Sequence, residues 1–372
     1  MNLLLDVGSI KTGGGLQLAI NFLKYLESKE VKKNLESVYV LRPEKGPLSD
    51  DKYYEFVCDG VLTYPDSYIK RKMFEVFTLD KFLRTNNIDI AYTFFGSGLG
   101  DLKNVRKVVS VAYPIICYPD SSYWDYLPFF KKFKKKLVND FRRNRIKKAD
   151  TVIVETEVMR YRLHKFLDLA FSRLTTIPPS PSSFVSDVGY ENKGEENRIL
   201  LLGGTDPHKN LWRLPSISNS LEKIGVVDYC FILSVSEEAF DDCLELMGVD
   251  LKFNRDKFRF VGSIHPEKIN EIYASADFLM NVSDLESFSN NYMEAWKAGI
   301  PLICSDRDFS RNICKGSAVY IEPHDAEGAA EGIKLLIDDK SSQQNLVEEG
   351  KVQLSRLPTI NEKFEMIFGL LK

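Results

Sequence analysis

Two glutamates, Glu286 and Glu294, stand eight positions apart in LESFSNNYMEAWKAGIPLICSD, residues 285–306. The first precedes a short turn. The second lies on a predicted helix, NNYMEAWKAG, with Ser289 or Asn290 as its N-cap. Backbone N–H groups at a helix N-terminus lack intrahelical acceptors and carry the positive end of the helix dipole. The turn is therefore suited to an anion such as a diphosphate, with carboxylates on either side to accept hydrogen bonds from hydroxyl groups.

A ligand with hydroxyl-rich groups on both sides of a diphosphate fits this pattern. A nucleotide sugar has that form: sugar, diphosphate, ribose. A plainer interpretation also remains open, in which Glu286 is a surface acid and Glu294 is a solvated helix residue, because two glutamates at this spacing occur by chance in many proteins. The position of the turn between a strand and a helix favours the site.

Strand-like apolar runs alternate with helix-periodic segments along the chain, which is typical of parallel α/β units. The first half contains LLLDV, SVYVL, DIAYTFF, KVVSVAY and DTVIVET, and the second contains RILLLGG, YCFILSV, FRFVGSI, DFLMNVS, IPLICSD and AVYIEP. Between them, IPPSPSSFVSD cannot continue a helix or join the centre of a sheet. We predict two Rossmann-like domains, a linker and a final helix: residues 1–178, 179–187, 188–355 and 356–372.

Composition excludes several classes of protein. The 372 residues are 44% hydrophobic and 28% charged with a net charge of -3, which argues against disorder, collagen and disulfide scaffolds. The cysteines form no CxxC pair and several lie in apolar runs, so we expect buried thiols in a reducing compartment. The amino terminus lacks the basic start and the long apolar run of a signal peptide, and no segment is long enough to span a bilayer. We expect a cytoplasmic protein.

The segment ESFSNNYME, followed by AWKAGIPLICSD, resembles the Glu-x7-Glu signature of the GT-B glycosyltransferases of family GT4. RILLLGGTDPHKNL resembles that family's first C-terminal strand and the loop whose lysine, here Lys209, holds the donor diphosphate. FRFVGSIHPEKIN resembles the family's strand and turn that contact the base of the donor nucleotide. The residues of this chain at that turn are Gly262 and Ser263. DVGSIKTGGGLQLA resembles the N-terminal Gly-rich turn, with Gly13 and Gly14 facing the diphosphate.

The resemblance implies a GT-B fold, with two Rossmann-like domains facing across a cleft and a C-terminal helix packing back on the N-terminal domain. It also implies a retaining, metal-independent transfer that uses no cofactor besides a nucleoside-diphosphate sugar as donor. Lys209 and Glu286 are then the catalytic residues: Lys209 stabilises the diphosphate and Glu286 orients the sugar, while Glu294 holds the ribose. The diphosphate-binding turn is formed by Ser287, Phe288, Ser289 and Asn290.

Two departures from the family pattern concern this site. Relatives often carry an arginine shortly before the lysine, where this chain has GGTDPH, and Arg213 is a candidate substitute. The tip of a middle N-terminal strand, VAYPIICYPDSSYW, lacks the histidine that relatives often place near the acceptor. Plainer interpretations are a surface lysine for Lys209 and a flexible turn for residues 13–15.

The segment FFKKFKKKLVNDFRRNRIKK, residues 129–148, predicts a basic amphipathic helix with aromatic side chains at helical spacing. Such a helix can lie on an anionic membrane surface. The alternative is that its Phe stripe packs on the N-terminal sheet and its lysines form a solvated face. Nucleic acid is not expected as a partner, because no RRM, KH or helix-turn-helix pattern accompanies the charge.

Together these features predict a glycosyltransferase of surface polysaccharide synthesis (O-antigen, capsule or exopolysaccharide) that is cytoplasmic and peripheral on the inner face of the cell membrane. The expected donor is a UDP- or GDP-linked sugar, and the acceptor is a glycan or a polyprenyl-diphosphate-linked glycan. The alternatives are a nucleotide-sugar epimerase or phosphorylase on the same fold, and a non-catalytic sugar-nucleotide-binding protein. P-loop, dinucleotide-binding, zinc-protease and Ser-nucleophile motifs are absent from the sequence.

Overall fold

The computed structural model describes residues 1–10, 14–55, 57–189, 194 and 196–372. The chain divides into two compact units. The N-terminal unit comprises Met1–Pro119, Phe130–Pro178 and Thr359–Lys372, and the C-terminal unit comprises Asp120–Phe129 and Pro179–Pro358. Among the described residues, no helix combines the length and the apolar character that crossing a bilayer requires.

A parallel sheet forms the centre of the N-terminal unit, and its described strands follow the order β3-β2-β1-β4-β5-β6-β7. The strands are β1 Asn2–Asp6, β2 Ser37–Pro43, β3 Gly60–Tyr64, β4 Ile90–Thr93, β5 Arg106–Ser110, β6 Thr151–Val154 and β7 Leu174–Thr176. Central strands are buried on both faces, as the consecutive Leu3, Leu4 and Leu5 illustrate, which is why they are continuous apolar runs in the sequence. The two edge strands, β3 and β7, were not predicted.

The helices of the N-terminal unit cover both faces of this sheet. They are α1 Gly14–Leu26, α2 Lys29–Lys32, α3 Tyr68–Met73, α4 Asp80–Thr85, α5 Pro114–Cys117, α6 Phe129–Ile146 and α7 Glu157–Leu167, with a π-helical turn at Phe74–Leu79 between α3 and α4. The final helix of the chain, Ile360–Leu371, belongs to the same unit. Its apolar face packs into the core, where Phe364 contacts Phe22 with ring centroids 5.2 Å apart.

The basic segment forms the predicted helix, α6, but the alternative that its aromatic stripe packs on the sheet is wrong. Phe130 is 84% exposed and Phe133 is 58% exposed. The stripe faces away from the core because the inner face of the helix is polar: the buried Asn139 donates to the carbonyl of Ile115 at 3.1 Å, and Arg145 donates to the carbonyl of Gly98 at 2.7 Å.

The C-terminal unit contains a second parallel sheet, whose described strands follow the order β10-β9-β8-β11-β12-β13. The strands are β8 Asn197–Leu201, β9 Tyr229–Leu233, β10 Phe258–Phe260, β11 Phe278–Asn281, β12 Leu302–Ser305 and β13 Ala318–Ile321. Its helices are α8 Leu214–Lys223, α9 Glu237–Leu246, α10 Ile269–Ala274, α11 Asn290–Ala298, α12 Asp308–Cys314, α13 Ala326–Asp338 and α14 Lys340–Ser355, which makes the final helix α15. Each of these strands was predicted from its apolar run.

Strand order reverses direction at one place in each sheet: between β1 and β4 in the N-terminal unit, and between β8 and β11 in the C-terminal unit. At such a switch point the connections leave toward opposite sides and open a crevice beyond the carboxyl ends of the two strands. The Lys209 loop follows β8 and the Glu286 turn follows β11, so the fold places both at the same switch point.

Candidate functional site

Lys209 and Glu286 meet beyond the carboxyl ends of β8 and β11. Lys209 Nζ donates to Glu286 Oε1 at 2.6 Å, although the two residues are 77 positions apart in the chain. Both side chains are partly exposed, by 27% and 12% respectively. The cation is therefore anchored on a carboxylate while it remains accessible to a ligand.

Backbone contacts hold the two loops together independently of that ion pair. The lysine ends a 3₁₀ turn, Pro207–Lys209, and the next residue, Asn210, adopts the left-handed conformation with φ 57°. Asn210 Nδ2 donates to the carbonyl of Val282 at 2.9 Å. The backbone N–H of Asp284 donates to the carbonyl of His208 at 2.8 Å. These contacts fix the position from which Lys209 reaches Glu286.

Helix α11 starts at Asn290, and Ser289, one of the two residues predicted as its N-cap, occupies the N-cap position. The Ser289 hydroxyl does not cap the helix. It instead accepts a hydrogen bond from Asn281 Nδ2 at 2.8 Å, and Asn291 Nδ2 ties the helix to the carbonyl of Leu202 at 2.8 Å. The first-turn N–H groups therefore have no side-chain cap from Ser289, which suits them to bind an anion.

The turn between Glu286 and this helix combines a buried and an accessible part. Ser287 and Ser289 are buried, Phe288 is partly buried and Asn290 is exposed. Phe288 lies against Tyr292 on α11, with ring centroids 6.3 Å apart. The aromatic contact fixes the turn on the helix that it precedes.

Glu294 lies one turn into α11 and is partly buried. Its Oε2 accepts a hydrogen bond from the Tyr273 hydroxyl, on α10, at 2.8 Å. Burial raises the pKa of Glu294, and the Tyr273 hydrogen bond opposes that shift. The carboxylate of Glu294 thus contacts a residue of α10, whereas Lys209 and Glu286 contact each other. Hydroxyl donors from a ligand would favour the ionised carboxylate.

Gly262 and Ser263, two of the predicted substrate-binding residues, follow a different strand from Lys209 and Glu286. Gly262 follows the edge strand β10 with φ 69°, a conformation that favours glycine, and Ser263 beside it is exposed. Strand β9 separates β10 from β8, so this turn shares the carboxyl edge of the sheet with Lys209 without adjoining it. Gly14 is the first residue of α1 in the N-terminal unit, and Gly13 lies outside the described residues.

The sequence did not indicate the role of Asp284, two residues before Glu286. Its side chain is fully buried. Oδ1 accepts from Arg307 Nε at 3.0 Å and Nη2 at 2.6 Å, and Oδ2 accepts from the Tyr126 hydroxyl at 2.6 Å and contacts His324 Nε2 at 3.0 Å. Burial alone would raise the pKa of Asp284, but these hydrogen bonds and the Arg307 charge outweigh it and lower the pKa to about 2.

Tyr126 reaches this cluster from the segment Asp120–Phe129, which belongs to the C-terminal unit although it lies among residues of the N-terminal half. In the same segment, Tyr123 packs edge-to-face on His208, with centroids 5.5 Å apart. Tyr126 packs on Trp212 at 5.6 Å. The segment thus contacts both sides of the Lys209 loop. The aromatic residues in SSYWDY are the feature of the sequence that could have indicated this segment's contacts with the site.

Arg213, considered above as a substitute for the arginine that relatives carry before the lysine, contacts Trp212 and His324. Its guanidinium lies 3.9 Å from the centroid of the Trp212 ring, and its Nη2 is 2.9 Å from His324 Nδ1. The residue therefore extends the Asp284 cluster, and its role as a phosphate ligand stays a prediction.

Comparison with known proteins finds a family that this part of the chain resembles. Residues 190–353 match the model of the family described as "Glycosyl transferases group 1". This match covers less than half of the chain. The matched segment contains Lys209, the Glu286 turn and Glu294 together with every described strand of the second sheet.

One curated relative of this chain is the O-antigen chain mannosyltransferase RfbU of Salmonella typhimurium. It is 28% identical over 144 residues, which cover 39% of this chain and 39% of that protein. The chain spans less than half the length of the curated relatives that it matches.

Solved structures resemble this chain over its full length. WaaG, a glycosyltransferase involved in lipopolysaccharide biosynthesis, has a TM-score of 0.69 at 15% identity, covering 100% of this chain and 99% of that chain. HepE from Anabaena, in complex with UDP and glucose, has a TM-score of 0.67 at 13% identity, with coverage of 100% and 99%. The likeness confirms the predicted fold class: two parallel α/β domains of the GT-B type.

Proposed function

We propose that the protein is a glycosyltransferase that moves a sugar from a nucleoside diphosphate to a glycan or lipid-linked acceptor in surface polysaccharide synthesis. The observation that carries the proposal is the contact between Lys209 and Glu286 at the β8/β11 switch point, beside an α11 N-terminus without a side-chain cap. A cation, a helix dipole and a sugar-orienting carboxylate are together the groups that departure of a nucleoside diphosphate requires.

In the proposed reaction the bond between the anomeric carbon and the diphosphate oxygen breaks, an acceptor hydroxyl oxygen forms the new bond to that carbon, and the hydroxyl proton passes to the departing diphosphate oxygen. Lys209 and the N–H groups of the 287–290 turn stabilise the negative charge on the departing diphosphate. Glu286 accepts hydrogen bonds from the donor sugar, and Glu294 accepts them from the ribose. We expect retention of the anomeric configuration and no requirement for a metal.

The proposed donor is a UDP- or GDP-linked sugar. The Anabaena structure contains UDP, and the Salmonella relative is a mannosyltransferase. Gly262 and Ser263 line the proposed base side of the site, at the same sheet edge as Lys209. Gly13 and Gly14 are proposed to approach the phosphates through their backbone.

The proposed acceptor is a glycan carried by a polyprenyl diphosphate, reached from the cytoplasmic face of the membrane. Helix α6 supports this part of the proposal, because its exposed Phe130, Phe133 and Leu137 lie among exposed lysines. An amphipathic helix of this composition binds the interface of an anionic bilayer. We therefore propose a peripheral protein of the inner membrane face.

A thermal-shift screen against UDP, GDP and ADP and their sugars tests the donor site. A ligand at about 100 times its Kd should raise the unfolding midpoint by a few degrees, because only the native state binds it.

Glu294→Ala should weaken nucleotide binding by roughly tenfold through loss of a hydroxyl acceptor. Glu286→Ala should lower turnover by about 10² while affinity for the nucleotide changes little.

Glu331→Ala provides the matched control, because Glu331 is an exposed helical glutamate of the same unit. It should leave binding and turnover as they are. If Glu286→Ala and Glu294→Ala behave like this control, the proposed site is wrong. Sugar release or isomerisation that needs no acceptor would argue against transfer to a glycan.

A further inference from the structure

A second group of exposed apolar side chains lies on α3 and the π-helical turn that follows it. Ile69, Met73 and Phe77 are four positions apart and are 76%, 56% and 71% exposed. Val76 is exposed as well. A single exposed apolar residue is ordinary, whereas four within nine positions form a patch that indicates an interaction surface.

The element that carries this patch is fixed on the N-terminal unit by its opposite side. Phe74 packs on Tyr64 with ring centroids 5.9 Å apart, Leu79 is buried, and the Tyr64 hydroxyl donates to Glu75 Oε1. The exposed side chains therefore belong to a packed helix whose other face is already in the core.

Glu75 also joins this element to α6. Arg145 Nη2 donates to Glu75 Oε1 at 2.6 Å and Nη1 donates to Oε2 at 3.2 Å, and both side chains are about nine-tenths buried. The Arg145 guanidinium lies 5.3 Å from the ring centroid of Phe141, the last aromatic residue of the α6 stripe. The two apolar groups thus lie on neighbouring elements connected by one buried ion pair.

The charge around both groups has the same sign. Lys70 and Lys72 are exposed beside the α3 patch, and Lys131, Lys134 and Lys136 are exposed on α6. Large apolar side chains among lysines match a surface that is apolar below and anionic above, because lysine stems extend along apolar surface while the ammonium groups reach the head groups.

We propose that Ile69, Met73, Val76 and Phe77 form, with the α6 stripe, one contact surface for an anionic lipid bilayer. The inference extends the membrane contact proposed above for α6 and rests on it, but it does not depend on glycosyl transfer. The ion pair between Glu75 and Arg145 holds the two halves of the surface in register.

Co-sedimentation with vesicles of phosphatidylglycerol and phosphatidylcholine tests the surface. The triple variant Ile69→Ser/Met73→Ser/Phe77→Ser should partition about tenfold more weakly than the unaltered protein, because three apolar side chains no longer enter the interface. The α6 variant Phe130→Ser/Phe133→Ser/Leu137→Ser should weaken it at least as much. Thermal unfolding midpoints should stay unchanged, since all six side chains are exposed.

The matched control is Val227→Ser/Leu246→Ser/Leu335→Ser, which replaces exposed apolar residues of the C-terminal unit and should partition like the unaltered protein. If the α3 variant also partitions unchanged while the α6 variant is weakened, the second patch is not part of the contact. If both variants partition unchanged, the α6 contact fails too. Conversion of a dimer into a monomer by the α3 variant would identify a second copy as the occupant and overturn the proposal.

Discussion

At the scale of single residues, the turn that carries Glu286 begins at one buried charge, Asp284, whose two carboxylate oxygens both accept hydrogen bonds. Asp284 has no exposed side-chain surface, yet it stays ionised because Arg307, Tyr126 and His324 all contact its carboxylate. A buried charge without such partners would be strongly destabilising. The cluster therefore fixes the start of the turn that carries Glu286.

Asp284→Asn should change both the stability and its dependence on pH. The pKa of Asp284 is lowered to about 2 in the folded protein, so its ionisation stabilises the fold above the ordinary Asp pKa of about 4. That contribution is lost as the pH falls from about 4 to about 2. The variant should lose on the order of 2 kcal/mol in the free energy of unfolding at pH 7, and the deficit should shrink in acid. Urea unfolding between pH 7 and pH 3 measures this.

Elements that are distant in sequence control the position of Lys209. The 3₁₀ turn at Pro207–Lys209 touches the β11 turn through Asn210 and His208, and it touches the Asp120–Phe129 segment through His208. Since Tyr126 also donates to Asp284, this segment contacts the loop of the cation and the turn of the carboxylate. We infer that it positions both.

Tyr126→Phe tests the positioning role of the segment. The variant removes a hydroxyl that donates to a buried carboxylate, so it should cost on the order of 1–2 kcal/mol of unfolding free energy. It should also raise the KM for the donor more than it lowers kcat, because the Lys209 loop is less firmly held. Tyr161→Phe, at an exposed tyrosine of α7, is the control. An unchanged KM in the Tyr126 variant would limit the residue to a role in stability.

At the scale of the whole molecule, the chain forms two compact units, and the last helix packs in the hydrophobic core of the first. Helix α15 follows the C-terminal unit in sequence but buries Phe364, Ile367, Phe368 and Leu371 in the N-terminal core. A capping box at its start, between Thr359 and Glu362, fixes where the helix begins.

Phe364→Ala should therefore destabilise the N-terminal unit selectively. Removal of a fully buried aromatic ring leaves a cavity and costs roughly 3 kcal/mol or more. Amide hydrogen exchange should become faster in β1 and β4, with little change in β8 and β11. Met366→Ala, at a partly exposed position of the same helix, should leave both units unaffected. Equal acceleration in the two units would contradict the assignment of α15 to the first core.

The sequence alone determined the elements that are strongly patterned. Every described strand of the C-terminal sheet, the basic helix α6, the start of α11 at Ser289 or Asn290 and the final amphipathic helix follow from local periodicity and cap residues, which need no knowledge of distant partners. Strands β3 and β7 escaped prediction because they are sheet edges: β3 alternates in exposure, and β7 has only three residues.

Only the tertiary structure decided what depends on distant pairing. Strand order placed the Lys209 loop beside the Glu286 turn, and it separated the Gly262 turn from them by β9. The tertiary structure also decides that Tyr126 donates a hydrogen bond to Asp284 and that Arg213 contacts His324. It leaves the aromatic stripe of α6 exposed instead of packed on the sheet. Hydrophobic periodicity in the sequence specifies which face of a helix or strand is apolar, but only the packing of the folded chain specifies which residues that face contacts.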